Sequence, residues 1–276
     1  MFRLLQIELY KIKHNKAGKA LIIIYFGLLL SIALLVNVKF KIGDFNFNLS
    51  ESGIFNFPYI WHLFTYFAAG FKFFLLLVIV SMMANEYSNR TLKQNLIDGL
   101  SKKEFVLSKF YTVILFSLLS TVFVGITALI LGLIYSDFTE FAIIITDLEY
   151  LLAYFIKLVA FFSFGLFLGV LIKRSAFAVG AMLVWAFTEL IITGVLKWTY
   201  KIENYESITQ FFPLNAMSNL IKEPITRFNA VKSAVQQLGE EVVKDFSVQG
   251  LDIVITLAWT IIFILGSYYL LKKRDL

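Results

Sequence analysis

Three ionisable side chains stand inside long apolar runs: Lys72, Lys157 and Glu189. A charge at the centre of a hydrocarbon layer costs about 2.5–3.5 kcal/mol on insertion scales, so such residues face a bundle interior or water. There they form structural pairs or line a path for ions or cargo. Lys157 falls about seven residues from the end of one run and Glu189 about eight from the facing end of the next, which at about 1.5 Å per residue puts both roughly 10–12 Å deep. At matched depth the two can pair. Lys72 lies nearer the middle of its run, beyond the reach of snorkelling, and is the best placed of the three to line a cavity.

Little else in the chain suggests covalent chemistry. There is no cysteine, hence neither a disulfide framework nor a thiolate metal site, and the two histidines, His14 and His62, are far apart. No Gly-x-x-x-x-Gly-Lys-Ser/Thr loop, His-Glu-x-x-His or Gly-x-Ser-x-Gly occurs, so the chain is expected to bind no cofactor, hold no metal and catalyse no covalent step. The net charge of +6 is dispersed among short segments rather than gathered in one domain, which argues against a nucleic-acid partner.

Composition sets the class. Of 276 residues, 59% are hydrophobic and 30 are Phe, with a mean hydropathy of +0.79, well above the roughly half-apolar usage of globular chains. Six runs approach the roughly 20 residues that a helix needs to cross a bilayer: about 18–38, 59–84, 109–135, 150–172, 175–197 and 250–271. Helices are required, because isolated strands leave backbone groups unpaired in lipid and the runs lack the alternation of a barrel. The expected fold is an all-α, polytopic membrane protein of six transmembrane helices, a single permease-like domain over 1–276.

Lys and Arg fix the orientation, since they are retained on the cytoplasmic side. With both termini inside, the inner segments hold fifteen basic residues against five acids, and the outer segments eight against thirteen. The topology is therefore N-in, C-in. Residues 1–17 read as an interfacial helix, with Phe2, Leu5, Leu9 and Ile12 on one stripe and Arg3, Glu8, Lys11 and Lys13 on other faces. Residues 198–249 form the longest outer connection, whose segment Phe211–Ile221 around Pro213 suits short helices that cap the bundle or dip into it. Gly165 and Gly169 make a Gly-x-x-x-Gly pattern that allows close helix approach.

The polar, basic stretch 85–108, anchored between two apolar runs, carries the most specific pattern. Glu86-x4-Thr91 is followed by Leu96, Ile97 and Gly99, then by Ser101-Lys102-Lys103-x-Phe105-x3-Lys109. This order resembles the cytoplasmic loop of ABC-2 type permeases, the membrane subunits of ATP-binding-cassette exporters. The resemblance extends to the amphipathic N-terminal helix, the six spans, the long outer loop and the terminal Lys-Lys-Arg-Asp-Leu. It implies a coupling helix at about Thr91–Leu100, capped by Ser88 or Asn89 and ended by Gly99. Leu92, Leu96 and Ile97 would form its docking ridge, Asp98 would lie near its end, and Arg90, Lys93, Lys102 and Lys103 would steer a partner or touch lipid phosphates. It further implies two copies of a separate cassette ATPase that carries ATP and Mg, a homodimer or a heterodimer with a similar permease, surrounding membrane lipids, and a bacterial inner membrane. Two other classes are compatible with the residues: a secondary transporter using Lys72, Lys157 and Glu189, and a scaffold or immunity factor bound to a cassette ATPase.

Overall fold

The computed structural model describes residues 2–34, 39–42, 45–48, 53–227 and 245–274. The fold is a helical bundle. Helix α1 (Phe2–His14) leads through Asn15 into α2 (Lys16–Leu34), and a short antiparallel hairpin, β1 (Lys39–Ile42) and β2 (Phe45–Asn48), follows with Phe40 opposite Phe47. The all-α expectation passed over this hairpin, although the alternation Lys-Phe-Lys-Ile and Phe-Asn-Phe-Asn is a strand pattern. Next come α3 (Tyr59–Gly70), α4 (Lys72–Ser88), α5 (Thr91–Ile97), α6 (Lys102–Tyr135), α7 (Phe141–Ile144) and α8 (Glu149–Ile172). The chain ends with α9 (Ser175–Gly194), which continues as one π turn to Thr199, then α10 (Tyr205–Thr209), α11 (Pro213–Asn219) and α12 (Gly250–Lys273).

Among the described residues five helices are long and apolar enough to cross a membrane: α2, α6, α8 with α7, α9 with its π turn, and α12. The run expected as one span over 59–84 is a bent pair, α3 and α4, kinked by 46° at Phe71. The Phe71 amide bonds the carbonyl of Ala68, three residues back, so the α-helical ladder tightens there and restarts at Lys72.

Helix α8 is the axis of the molecule. It is buried over 78% of its apolar window, against 11% for α9, and it packs on α3, α4, α6, α9, α11 and α12. Close approach to α4 needs Gly165, where an added Cβ would fall 2.2 Å from Leu76 Cδ1, and Gly169, where it would fall 3.2 Å from Met83 Cβ. The Gly-x-x-x-Gly pattern thus packs inside the chain. On the opposite side of α8, Phe164 stacks on Phe263 of α12 at 4.5 Å between centroids. A cluster of hydroxyls joins three helices in mid-bundle: Tyr25 contacts Ser120 and lies 3.1 Å from the Tyr154 hydroxyl. Burying all three hydroxyls is tolerable because they bond one another.

Candidate functional site

The strongest concentration of charge lies at the basic end of the bundle, where α1, α4, α5 and α6 meet. Lys109, on the first turns of α6 and fully buried, donates to Glu86 Oε1 at 2.5 Å and to Glu8 Oε2 at 2.7 Å. Lys11 of α1 adds a bond to Glu86 Oε1 at 2.7 Å. The other oxygen of Glu86 accepts from Thr91 Oγ1 at 2.6 Å and Asn95 Nδ2 at 3.2 Å, both on α5. Two carboxylates and two ammonium groups balance, which makes a buried ionic knot sustainable: each charge has the partner that burial demands.

The knot fixes the short helix α5. Its start is set by Arg90 in the left-handed region (φ 55°), with no side chain capping it, so the expected caps Ser88 and Asn89 are not used. Thr91 and Asn95, one turn apart, instead tie its inner face to Glu86. Its end is as expected at Gly99 (φ 95°): the Gly99 amide bonds the Leu96 carbonyl and the Leu100 amide that of Asn95, the paired closure that favours glycine there. The helix proper stops at Ile97, shorter than the expected Thr91–Leu100.

The expected ridge divides. Leu92 is buried in the core and Leu96 packs on its edge, whereas Ile97 is 76% exposed. A seven-residue helix lying on the bundle cannot offer its inward side to a partner, so the outward surface consists of Lys93, Gln94, Ile97 and Asp98, with Arg90 at its start. Ser101 and Glu104 form a reciprocal capping box that starts α6. Phe105 is buried, with Lys109 5.0 Å above its ring. Lys103 is exposed, while Lys102 donates to the carbonyls of Lys272 and Arg274. Arg274 in turn bonds Val170 O and Leu171 O, satisfying the open carbonyls of α8, and reaches the Tyr87 hydroxyl.

The intramembrane residues are arranged differently from the expected pair. Glu189 accepts from the backbone amides of Leu214 (3.1 Å) and Asn215 (2.9 Å) and from Trp185 Nε1 (2.7 Å), while Lys157 donates to Ser218 O at 3.5 Å. The two charges hold opposite ends of α11, the carboxylate at its amino end and the ammonium at its carboxyl end, each on the side that the helix dipole favours. Equal depth along two helices does not specify which way they face, and α11 fills the space between them. Lys72 sits at the break of the bent pair with its ammonium 4.5 Å above Phe161, one helical turn from Lys157 on α8. Among the described residues neither lysine has a carboxylate within ion-pair distance.

At the acidic end, buried His62 stacks on Tyr150 at 4.1 Å and bonds the Lys222 carbonyl at 2.8 Å, and Arg227 pairs with Asp147 at 2.7 Å. These contacts pin residues 198–227 onto α3 and the start of α8, while the 228–244 part of the expected 198–249 connection lies outside the described residues. Nearby Asp245 accepts from the amide and then the hydroxyl of Ser247, which hold its carboxyl below the usual carboxylate range.

Spacing arguments singled out Glu86 but not Glu8, Lys11, Asn95 and Ser108, whose hydroxyl donates to Glu8 Oε1 at 3.4 Å. Glu8 had been placed off the apolar stripe of α1, yet it is the buried residue, between Leu5 and Ile12, while Leu9 is exposed. The available signal was weak: a lone acid among the first nineteen residues, one helical face shared with Ile12.

A family of proteins of unknown function, DUF2705, matches residues 20–276. The chain belongs to this family. No curated protein matches the chain. The DUF2705 match runs from Ala20 within α2 through α12 and therefore covers most of the ionic knot, leaving out only the α1 residues Glu8 and Lys11.

Proposed function

We propose that this chain is the membrane permease subunit of an ATP-binding-cassette exporter, with six spans counting the bent pair as one, both termini and the basic end in the cytoplasm, and a bacterial inner membrane as its site. One observation carries the reading. A short helix, α5, is presented on the basic end with Ile97 and a charged rim outward, while its inner face is fastened through Glu86 to α1, α4 and α6. A lever must be stiff at its root and free at its tip; a floppy loop would absorb motion instead of passing it on. Two copies of a separate cassette ATPase, carrying ATP and Mg, would dock on α5, and the permease would act as a homodimer or pair with a similar permease.

The decisive experiment is co-purification with affinity-tagged permease, followed by ATPase and export assays on the recovered complex. A stoichiometric ATPase that is lost on Ile97→Asp, with the permease itself still folded, is the expected result. The reading fails if no nucleotide-hydrolysing protein is recovered, or if flux survives ATP depletion and follows a proton or sodium gradient.

A further inference from the structure

A cavity of about 490 Å³ opens at the basic end between α1, α2 and α4. Its lining changes character with burial. Apart from the ion-paired Glu86, the buried lining residues are apolar or small, namely Ile12, Gly18, Val78 and Met82, whereas the accessible ones, Lys11, His14, Asn85 and Asn89 beside Tyr10, are mostly polar. Such a division matches an amphiphile, whose tail removes apolar surface from water while its head stays among donors.

The charge of the head follows from what is already neutralised. The only carboxylate on the wall, Glu86, has its oxygens occupied by Lys11, Lys109, Thr91 and Asn95, and so has no capacity left for a cation. Lys11 is one-third exposed and, beyond its bond to Glu86 and a 3.8 Å approach to Glu8, retains N–H groups. His14 donates Nδ1–H to the Tyr10 carbonyl, so its Nε2 donates to a phosphate only when the ring is doubly protonated. Lys13, Lys16 and Lys19 flank the mouth in sequence, and none has a carboxylate within ion-pair distance among the described residues. The field at the mouth is positive.

We propose that this cavity is a binding site for one anionic phospholipid of the leaflet at the basic end, with its phosphate among Lys11, His14 and the Asn side chains and an acyl chain along Gly18, Val78 and Met82. Basic pockets between membrane helices hold anionic head groups in this manner. Because Lys11, Glu86 and Thr91 line the same cavity and also fasten α5, the bound lipid stiffens the root of that helix. The proposal is independent of the exporter reading, since it concerns a ligand of the bundle alone.

The test uses the purified full-length protein in nanodiscs of phosphatidylglycerol or phosphatidylcholine, with native mass spectrometry of retained lipid and thermal unfolding as readouts. One lipid-facing basic group contributes about 1 kcal/mol, so retention of phosphatidylglycerol should exceed that of phosphatidylcholine about fivefold or more. Gly18→Leu fills the cavity from α2, where an added Cβ meets only the Asn15 side chain at 3.4 Å or beyond, and should abolish the retained lipid. His14→Ala should keep the lipid but narrow the preference for the anionic head. A cooperative thermal transition verifies that each variant is folded. Equal retention of both lipids, undiminished retention by folded Gly18→Leu, or binding of inorganic phosphate as tight as that of the lipid would each overturn the proposal.

Discussion

The two ends of the bundle handle buried charge by opposite means. At the basic end, side chains from three helices meet one another, so Lys109, Glu8, Glu86 and Lys11 are held by partners that are themselves on separate elements. In the other half, Glu189 and Lys157 meet backbone, and a single short helix receives both. The difference has a mechanical meaning. A side-chain knot transmits displacement between α1, α4, α5 and α6, because moving any one strains the rest. A charge gripping backbone does the reverse: it seats one helix, α11, against a static wall.

The sharpest way to break this contrast is Lys109→Met, which leaves two buried carboxylates to share the single ammonium of Lys11. Removing one partner of a buried ionic group costs about 3–5 kcal/mol, and replacing the whole group by apolar or neutral residues costs far less. Unfolding in detergent should therefore show a large loss for Lys109→Met and recovery of most of it when Glu8→Gln and Glu86→Gln are added. If the triple variant is no more stable than the single one, the knot is not the unit described.

Glu189→Leu comes next. It leaves the amides of Leu214 and Asn215 and the indole N–H of Trp185 without their acceptor, at about 1–3 kcal/mol for the buried donors. A cysteine placed at Asn219 should become faster to label as α11 loosens, while labelling at Ile97→Cys stays unchanged. Loosening at both positions would show that the two ends are one cooperative unit rather than two. Lys157→Met should have the smallest effect, because the lost contact with a helix carboxyl end, about 0.3–1 kcal/mol, is offset by no longer burying a charge that lacks a carboxylate partner.

Hydropathy made the long helices legible because lipid imposes a length and an apolar content on each one independently. That rule says nothing about where a span bends: the Phe71 break falls within an apolar run interrupted by His62 and Lys72, with Gly70 and the charge of Lys72 beside it as the hints. The closure of α5 at Gly99 was readable for a local reason, since a positive φ is a property of one residue. The knot was not readable, because Glu86 finds its partners 23 and 75 residues away, and no spacing rule reaches across three helices. The same limit produced the mistaken Glu189–Lys157 pair. The direction each helix faces depends on what packs between them, and α11 comes from a loop whose apolar residues only suggested that it would fold back.

Arg274 bears on how the molecule is assembled. The carbonyls it serves, Val170 and Leu171, precede it by 104 and 103 residues, so during synthesis the last turn of α8 waits with open acceptors until α12 has been made. The axial helix is thus inserted early and fastened late, by an arginine 104 residues downstream of the first carbonyl it serves.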